Sequence, residues 1–193
     1  MRCYLIRHGR DNDSVRGGWS MHPLTEEGNK EIMSLADTIA SWREEHLFRC
    51  IYSSDLPRAM DTAEILSARI HAPIIPTPEF RETNNGDLAG MDNALALMKY
   101  PGLFWNQMEW EQCYPNGESP CQFCERITNA WNSFSAMILK KGENVALVTH
   151  GGVIQVILSL VHGSPYSNKR PFQSVAHGGF ICLTYENGAW QQL

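Results

Sequence analysis

Apolar and polar positions divide the chain into short runs of two kinds. Residues 3–6 form an apolar run that stops abruptly at polar residues and glycine, as a buried strand ending in a functional loop does. From Thr25 onward, Ile32, Leu35, Ala36, Ile39 and Ala40 recur at helical spacing. Thr25 can cap that helix, and Glu26 and Glu27 suit its positive start. Residues 49–53 predict a second strand. Ser54-Asp55-Leu56-Pro57 then offers capping and first-turn chemistry to a helix carrying Ala59, Ala63, Leu66 and Ile70. Pro73-Ile74-Ile75-Pro76 predicts a short strand near a sheet edge, because proline removes ladder donors.

Residues 91–117 are rich in Met, Trp, Tyr and Pro and show only fragments of helical period. Ser119-Pro120-Cys121-Gln122 fits a capping box with proline at the first helical position, followed by Phe123, Ile127, Trp131, Phe134 and Ile138 on one face. Residues 145–148 are a fully apolar strand. Thr149-His150-Gly151-Gly152 interrupts the run before Val153, Val156, Ile157 and Leu160 continue at helical spacing. Residues 180–185 read as a last strand, and Glu186-Asn187-Gly188 as a turn toward a short terminal one. This alternation predicts an α/β three-layer sandwich, a mainly parallel central sheet with helices on both faces, formed by residues 1–193 as a single domain. In such sheets ligand groups gather at the carboxyl ends of strands. Arg7-His8 and His150 each follow a predicted strand and Arg58 sits at a helix start, so distant segments can converge on one pocket.

Composition narrows the function. A formal net charge of −5 and a pI near 5.8 give no global attraction for nucleic acid or an anionic membrane, so an anion site must be local. The sequence lacks an apolar run of membrane-spanning length, and its start turns charged too soon for a signal peptide; a cytoplasmic location is expected. The six cysteines are expected to be reduced. Cys113, Cys121 and Cys124 lack the second CxxC or paired histidines of a zinc site, and no metal or other cofactor is expected. P-loop and G-x-S-x-G motifs are also absent from the sequence.

A phosphate monoester is a dianion near neutral pH, and binding it takes guanidinium forks in fixed geometry, a task suited to Arg7 and Arg58. An imidazole without its second proton can attack phosphorus in line and carry the phosphoryl group covalently. His8 is suitably placed for this, because Gly9 leaves room for close approach.

With these residues in view, the chain resembles the histidine phosphatase superfamily, the broader group of phosphoglycerate mutase-like proteins. Leu5-Ile6-Arg7-His8-Gly9 looks like its signature. Gly18-Trp19, Pro23-Leu24-Thr25 and Gly28 resemble the following loop and helix start, and residues 53–59 with Thr62-Ala63 resemble its second phosphate-pocket segment. Phe80-Arg81-Glu82 with Gly86 and Gly90 is similar to the segment supplying an acidic proton donor. Residues 116–119 resemble a later helix start, and residues 149–154 the second histidine motif. The resemblance implies His8 as nucleophile, Arg7, Arg58 and His150 as phosphate ligands, Glu82 as proton donor, and a metal-independent reaction on a small phosphomonoester. Nearby arginines are expected to lower the Glu82 pKa and an incoming dianion to raise it, coupling its protonation to binding.

The chain departs from the family pattern in places. Arg10 and Asp11 stand where Glu and Thr are common, and Ser14 stands at the position of a phosphate-binding Asn, where it offers a weaker contact or none. Leu88 and Ala89 replace a common Trp-Glu pair. Arg16, His22, Lys169, Arg170 and His177 are within possible reach of a substrate, but loop charges are usually solvated. The aromatic stretch with Trp105, Trp110 and Tyr114 is a candidate lid, with core packing the alternative. The rival to hydrolysis is a mutase that returns the phosphoryl group to a second hydroxyl; the chain is short for that branch. A silent phospho-ligand-binding module is the remaining alternative. Neither the substrate nor the oligomeric state is legible.

Overall fold

The computed structural model describes residues 1–170 and 173–193. Four strands, β1 (Arg2–Arg7), β2 (Cys50–Ser53), β3 (Ile74–Pro76) and β4 (Val145–Thr149), run parallel in the order β3-β2-β4-β1. The sheet continues antiparallel through β5 (Phe180–Glu186) to β6 (Ala189–Gln192), six strands in all. Proline-bounded β3 lies at the edge, where a missing donor costs no ladder bond.

Alternation along the central strands sorts side chains into two cores. Cys3, Leu5, Val145 and Leu147 face one side, where they pack with Phe123, Ile127, Trp131 and Phe134 of α4 (Pro120–Lys141) and with Val153, Val156 and Ile157 of α5 (Gly151–Val161). Tyr4, Ile6, Ala146 and Val148 face the other side, against Ile32, Ala36 and Ile39 of α1 (Glu26–Ala40) and Ala59, Ala63 and Leu66 of α2 (Pro57–Ile70). The buried faces of α1 and α4 are the periodic residues read from the sequence. This is the three-layer α/β sandwich with helices on both faces, and among the described residues no helix is long and apolar enough to cross a membrane.

Side-chain caps form at the starts of α1 and α4 as read from the sequence, and α2 and α5 start without one. The Thr25 side chain accepts from Gly28 N, and Ser119 and Gln122 form the reciprocal capping box. At α2 the expected side-chain cap does not form. Leu56 is the N-cap, Pro57 opens the helix, and the polar pair before it is used elsewhere. Asp55 pairs with Arg81, and Ser54 is drawn into contact with His150. Tertiary partners outcompeted the cap.

Residues 91–117, unreadable by period, contain a short helix α3 (Asn93–Lys99) capped by Asp92. Together with Leu88 they also build a small separate core around Met108 and Tyr114, flanked by Tyr100, Leu103 and Trp105. All six cysteines are free thiols, and Cys121 and Cys124 lie on α4.

Because the capping box holds the start of the 22-residue helix that covers one sheet face, Ser119→Ala should destabilise the protein by about 1 kcal/mol. Urea denaturation of the variant measures this, and an unchanged midpoint would show that packing alone fixes the helix start.

Candidate active site

Three parallel strands deliver the polar cluster. Arg7 ends β1 and His8 follows it; β2 leads through Ser54 to Arg58 in the first turn of α2; β4 ends at Thr149 and hands over to His150 before α5. Adjacent β1 and β4 are in register at Arg7 and Thr149, and the His8 amide donates to the Thr149 carbonyl. The two histidine rings are thereby brought to 5.1 Å between centroids.

His8 is 5% exposed, and its hydrogen bonds define its tautomer. Nδ1 lies 2.7 Å from the Gly9 carbonyl, which can only accept, so Nδ1 carries the proton. Nε2 keeps its lone pair and accepts from Arg58 Nε at 3.2 Å. Burial, followed by the nearby Arg58 guanidinium, pushes the His8 pKa well below the ordinary imidazole value; the Gly9 carbonyl works against that shift. The ring is held neutral with a nucleophilic nitrogen exposed to a guanidinium.

Arg58 is almost completely buried, and protein oxygens hold it. Nη2 donates to the Gly18 carbonyl at 2.7 Å, Nη1 to the Ser20 carbonyl and hydroxyl, and Asp11 Oδ2 lies 3.4 Å from Nε. Arg7 donates through Nη1 to the Val175 carbonyl at 2.7 Å and through Nη2 to His177 Nε2 at 2.8 Å. Burial lowers the pKa of both arginines, with Asp11 and Glu82 opposing the shift, and guanidinium basicity keeps them charged.

His150 is fully buried, with Nε2 2.8 Å from Ser54 Oγ. Ser54 Oγ accepts from Leu56 N, so its own proton can go to Nε2 and leave the imidazole proton on Nδ1. Burial, then the Arg58 charge, holds this histidine well below its usual pKa as well. His150 Nδ1 and Arg7 Nε are both buried without a hydrogen-bond partner among the described residues. Native proteins rarely leave buried donors unpaired, and here two of them join a cluster already rich in positive charge.

Glu82 is held from the opposite side. Its Oε2 accepts from Gly152 N at the start of α5 at 3.0 Å, and its Oε1 from Thr83 N at 3.1 Å. A Cβ on Gly152 would stand 2.4 Å from Oε1, so only glycine permits this approach. The surrounding backbone is clamped by Arg126, which donates to the carbonyls of Glu79, Arg81 and Glu82 while pairing with Glu118. Glu82 also lines a cavity of about 290 Å³ together with Gly18, Gly152, Trp105 and Tyr114.

His8, Arg58 and His150 therefore lie together, Arg7 joins them through His177, and Glu82 lines a cavity that reaches Gly18 beside Arg58. Ser14 is not brought into it: its exposed hydroxyl donates to Asn12 Oδ1, and its carbonyl accepts from Asn93 N. Of the aromatic stretch, Trp105 and Tyr114 reach the cavity, whereas Trp110 packs toward Tyr166. Lys169 pairs with Glu109. Sequence reasoning passed over Ser20 and the pocket roles of Ser54 and Asp11, and discounted His177 as a solvated loop charge, whereas it lies against Arg7 and His8. Asp11 alone left a signal, as a carboxylate three residues after His8.

His8, Asp11 and His177 offer ligand atoms within 4.8 Å of one another, a spacing a cation could span. Two fixed guanidinium groups already donate to, or lie against, the Nε2 atoms of both histidines. The charge balance of this pocket favours an anion.

Comparison with known proteins agrees with this geometry. The family model described as the histidine phosphatase superfamily (branch 1) matches residues 3–193. The chain is 28% identical over 197 residues to a probable phosphoglycerate mutase GpmB of Proteus mirabilis (strain HI4320), covering 98% of this chain and 87% of that protein. It is 31% identical over 160 residues to a metal-independent phosphoserine phosphatase of Arabidopsis thaliana, covering 79% of this chain and 65% of the other. The fold matches the crystal structure of an alpha-ribazole phosphatase from Shigella flexneri with a TM-score of 0.83 and 22% identity, over 100% of this chain and 95% of that one.

The lowered pKa values of His8, His150 and His177 carry a sign for stability. Below the unfolded imidazole value near 6.5, the unfolded chain takes up protons that the folded protein refuses, so stability falls as pH drops from about 6.5. Each group contributes a slope of up to about 1.4 kcal/mol per pH unit. Urea midpoints should fall between pH 7.5 and pH 5.5; a flat profile would mean these rings are protonated when folded.

Proposed function

Because the chain belongs to the histidine phosphatase superfamily, branch 1, we propose that it is a metal-independent phosphomonoester hydrolase working through a phosphohistidine on His8. The observation that carries this reading is the His8 tautomer: Nδ1–H held by the Gly9 carbonyl, and Nε2 kept neutral beside Arg58.

The substrate dianion exchanges for the contacts that Arg58 makes to Nε2, and takes up Arg7 Nε and His150 Nδ1, the two unpaired donors. Nε2 attacks phosphorus in line. The N–P bond forms as the bond to the leaving oxygen breaks, and Glu82 gives that oxygen its proton. The imidazole becomes cationic, and the Gly9 carbonyl stabilises its Nδ1–H. Water, giving up a proton to the Glu82 carboxylate, then attacks phosphorus, and breaking the N–P bond returns His8 to its neutral form. Charge on the nonbridging oxygens is met throughout by two guanidinium groups and an imidazole N–H, the electrostatic task that a metal performs in other phosphoryl-transfer sites.

A mutase reading also has support, in the near full-length likeness to a probable phosphoglycerate mutase. The two readings share every step up to the phosphohistidine and differ in whether water or a second hydroxyl receives the group. The absence of a long insertion after the acidic segment supports water. The expected setting is cytoplasmic and the substrate a small metabolite.

His8→Ala should lower hydrolysis of p-nitrophenyl phosphate by about three orders of magnitude or more, with EDTA without effect on the unaltered enzyme. An alkaline quench should trap acid-labile phosphate on His8. Label on another residue, or EDTA-sensitive turnover, overturns the mechanism; isomerisation of 3-phosphoglycerate without phosphate release favours the mutase.

Gly152→Ala should act like Glu82→Gln, because its methyl group displaces the carboxyl. Both should lower kcat about 10²- to 10⁴-fold while phosphohistidine hydrolysis and formation slow together. Full activity in Glu82→Gln would remove Glu82 from the mechanism.

A further inference from the structure

The cavity beside Glu82 contains a cation that the proposed chemistry does not use. Arg16 lines it, and its guanidinium has neither a hydrogen bond nor an ion pair among the described residues. Nε and Nη2 are sealed from solvent, so the group meets the cavity through Nη1. Its position is fixed in other ways. The Arg16 backbone is pinned on both sides, N–H to the Met91 carbonyl and C=O to the Gly90 amide, each at 2.8 Å, and the guanidinium lies 4.1 Å from the Phe104 ring centroid. An arginine ordered by stacking and backbone bonds, yet lacking a counter-ion, is a preformed anion contact.

The surroundings support a ligand rather than an internal partner. Glu82, the carboxyl nearest at hand in the cavity lining, has both oxygens occupied by the backbone N–H groups of Thr83 and Gly152. Tyr114 also lines the cavity, and its hydroxyl has no hydrogen-bond partner among the described residues. Burial pushes the Tyr114 pKa up to about 12, with Arg16 opposing and Glu82 adding to the shift, so the phenol remains a donor. Trp105 stacks nearly parallel to Tyr114, with 6.4 Å between centroids, and gives the cavity an apolar wall. At about 290 Å³ the space is small for a ligand pocket and suits a few heavy atoms.

We infer that Arg16 and Tyr114 form a carboxylate subsite for the leaving group, selecting compact phosphomonoesters that carry a carboxylate. This rests on the phosphohydrolase reading, since the leaving group is what sits beside Glu82.

Two matched pairs test it. In turnover, 3-phosphoglycerate and glycerol 3-phosphate differ at a carboxylate against a hydroxymethyl group. In calorimetric binding, 3-phosphonopropionate and propylphosphonate differ in the same sense and need no catalysis. The unaltered protein should prefer the acid in both pairs. Arg16→Met, which keeps an apolar group on Phe104, should reduce the acid-to-neutral ratio of kcat/KM and of affinity about 10- to 100-fold, the range for one hydrogen bond to a charged group. Arg16→Lys should recover part of the ratio. Equal losses for both members of each pair, or no preference in the unaltered protein, overturn the subsite. An Arg16-dependent acid preference in binding with no ester hydrolysed would overturn the hydrolase reading and sustain the subsite.

Discussion

The hydrogen bond from Arg58 Nε to His8 Nε2 is the contact on which the polar centre depends. It places a buried positive charge against the nucleophilic nitrogen, and the histidine can tolerate that charge only by staying neutral. Neutrality in turn requires the Nδ1–H tautomer, and the Gly9 carbonyl enforces it. Burying a guanidinium is costly unless its donors are satisfied. The loop carrying Gly18 and Ser20 therefore folds over Arg58 and presents carbonyls to it, with Asp11 as the nearby counter-charge.

That loop is held by the segment that carries Glu82. Trp19 donates its ring N–H to the Glu82 carbonyl and its backbone N–H to Asn85, while Asn85 donates to Gly17. Arg126 then grips the same stretch from α4 and ties it to Glu118. The Glu82 carboxyl and the loop that holds Arg58 are thus braced by one hydrogen-bond network, and both line the cavity. Arg16 belongs to the same loop, so the fold that satisfies Arg58 also sets an unpaired cation at the cavity wall.

Asp11 has a further consequence for charge. Standing near Arg58 and 4.0 Å from His177, it offsets part of the positive field that attracts an anion. The pocket carries a carboxylate of its own, and an anion entering it must compete with that carboxylate for the guanidinium. A threonine there would impose no such competition.

The sequence by itself determined the layers and the chemical headline. Helical period and caps defined α1 and α4, apolar runs marked the strands, and the placement of Arg7-His8, Arg58 and His150 after strand ends foretold their convergence, while Glu82 was marked by the family resemblance. These are local properties: a side-chain period or a capping residue acts within a few positions of itself. Tertiary structure decided the rest. Ser54 left its expected cap for His150, Ser14 stayed with Asn12, and Asp11, Ser20 and His177 joined the site from loops with no periodic signal. Apart from exposed Ser14, which keeps a local partner two residues away, each polar group chose its partner by the desolvation it would otherwise suffer. That cost exists only after the sheet and helices have buried both groups together, which no local pattern can encode.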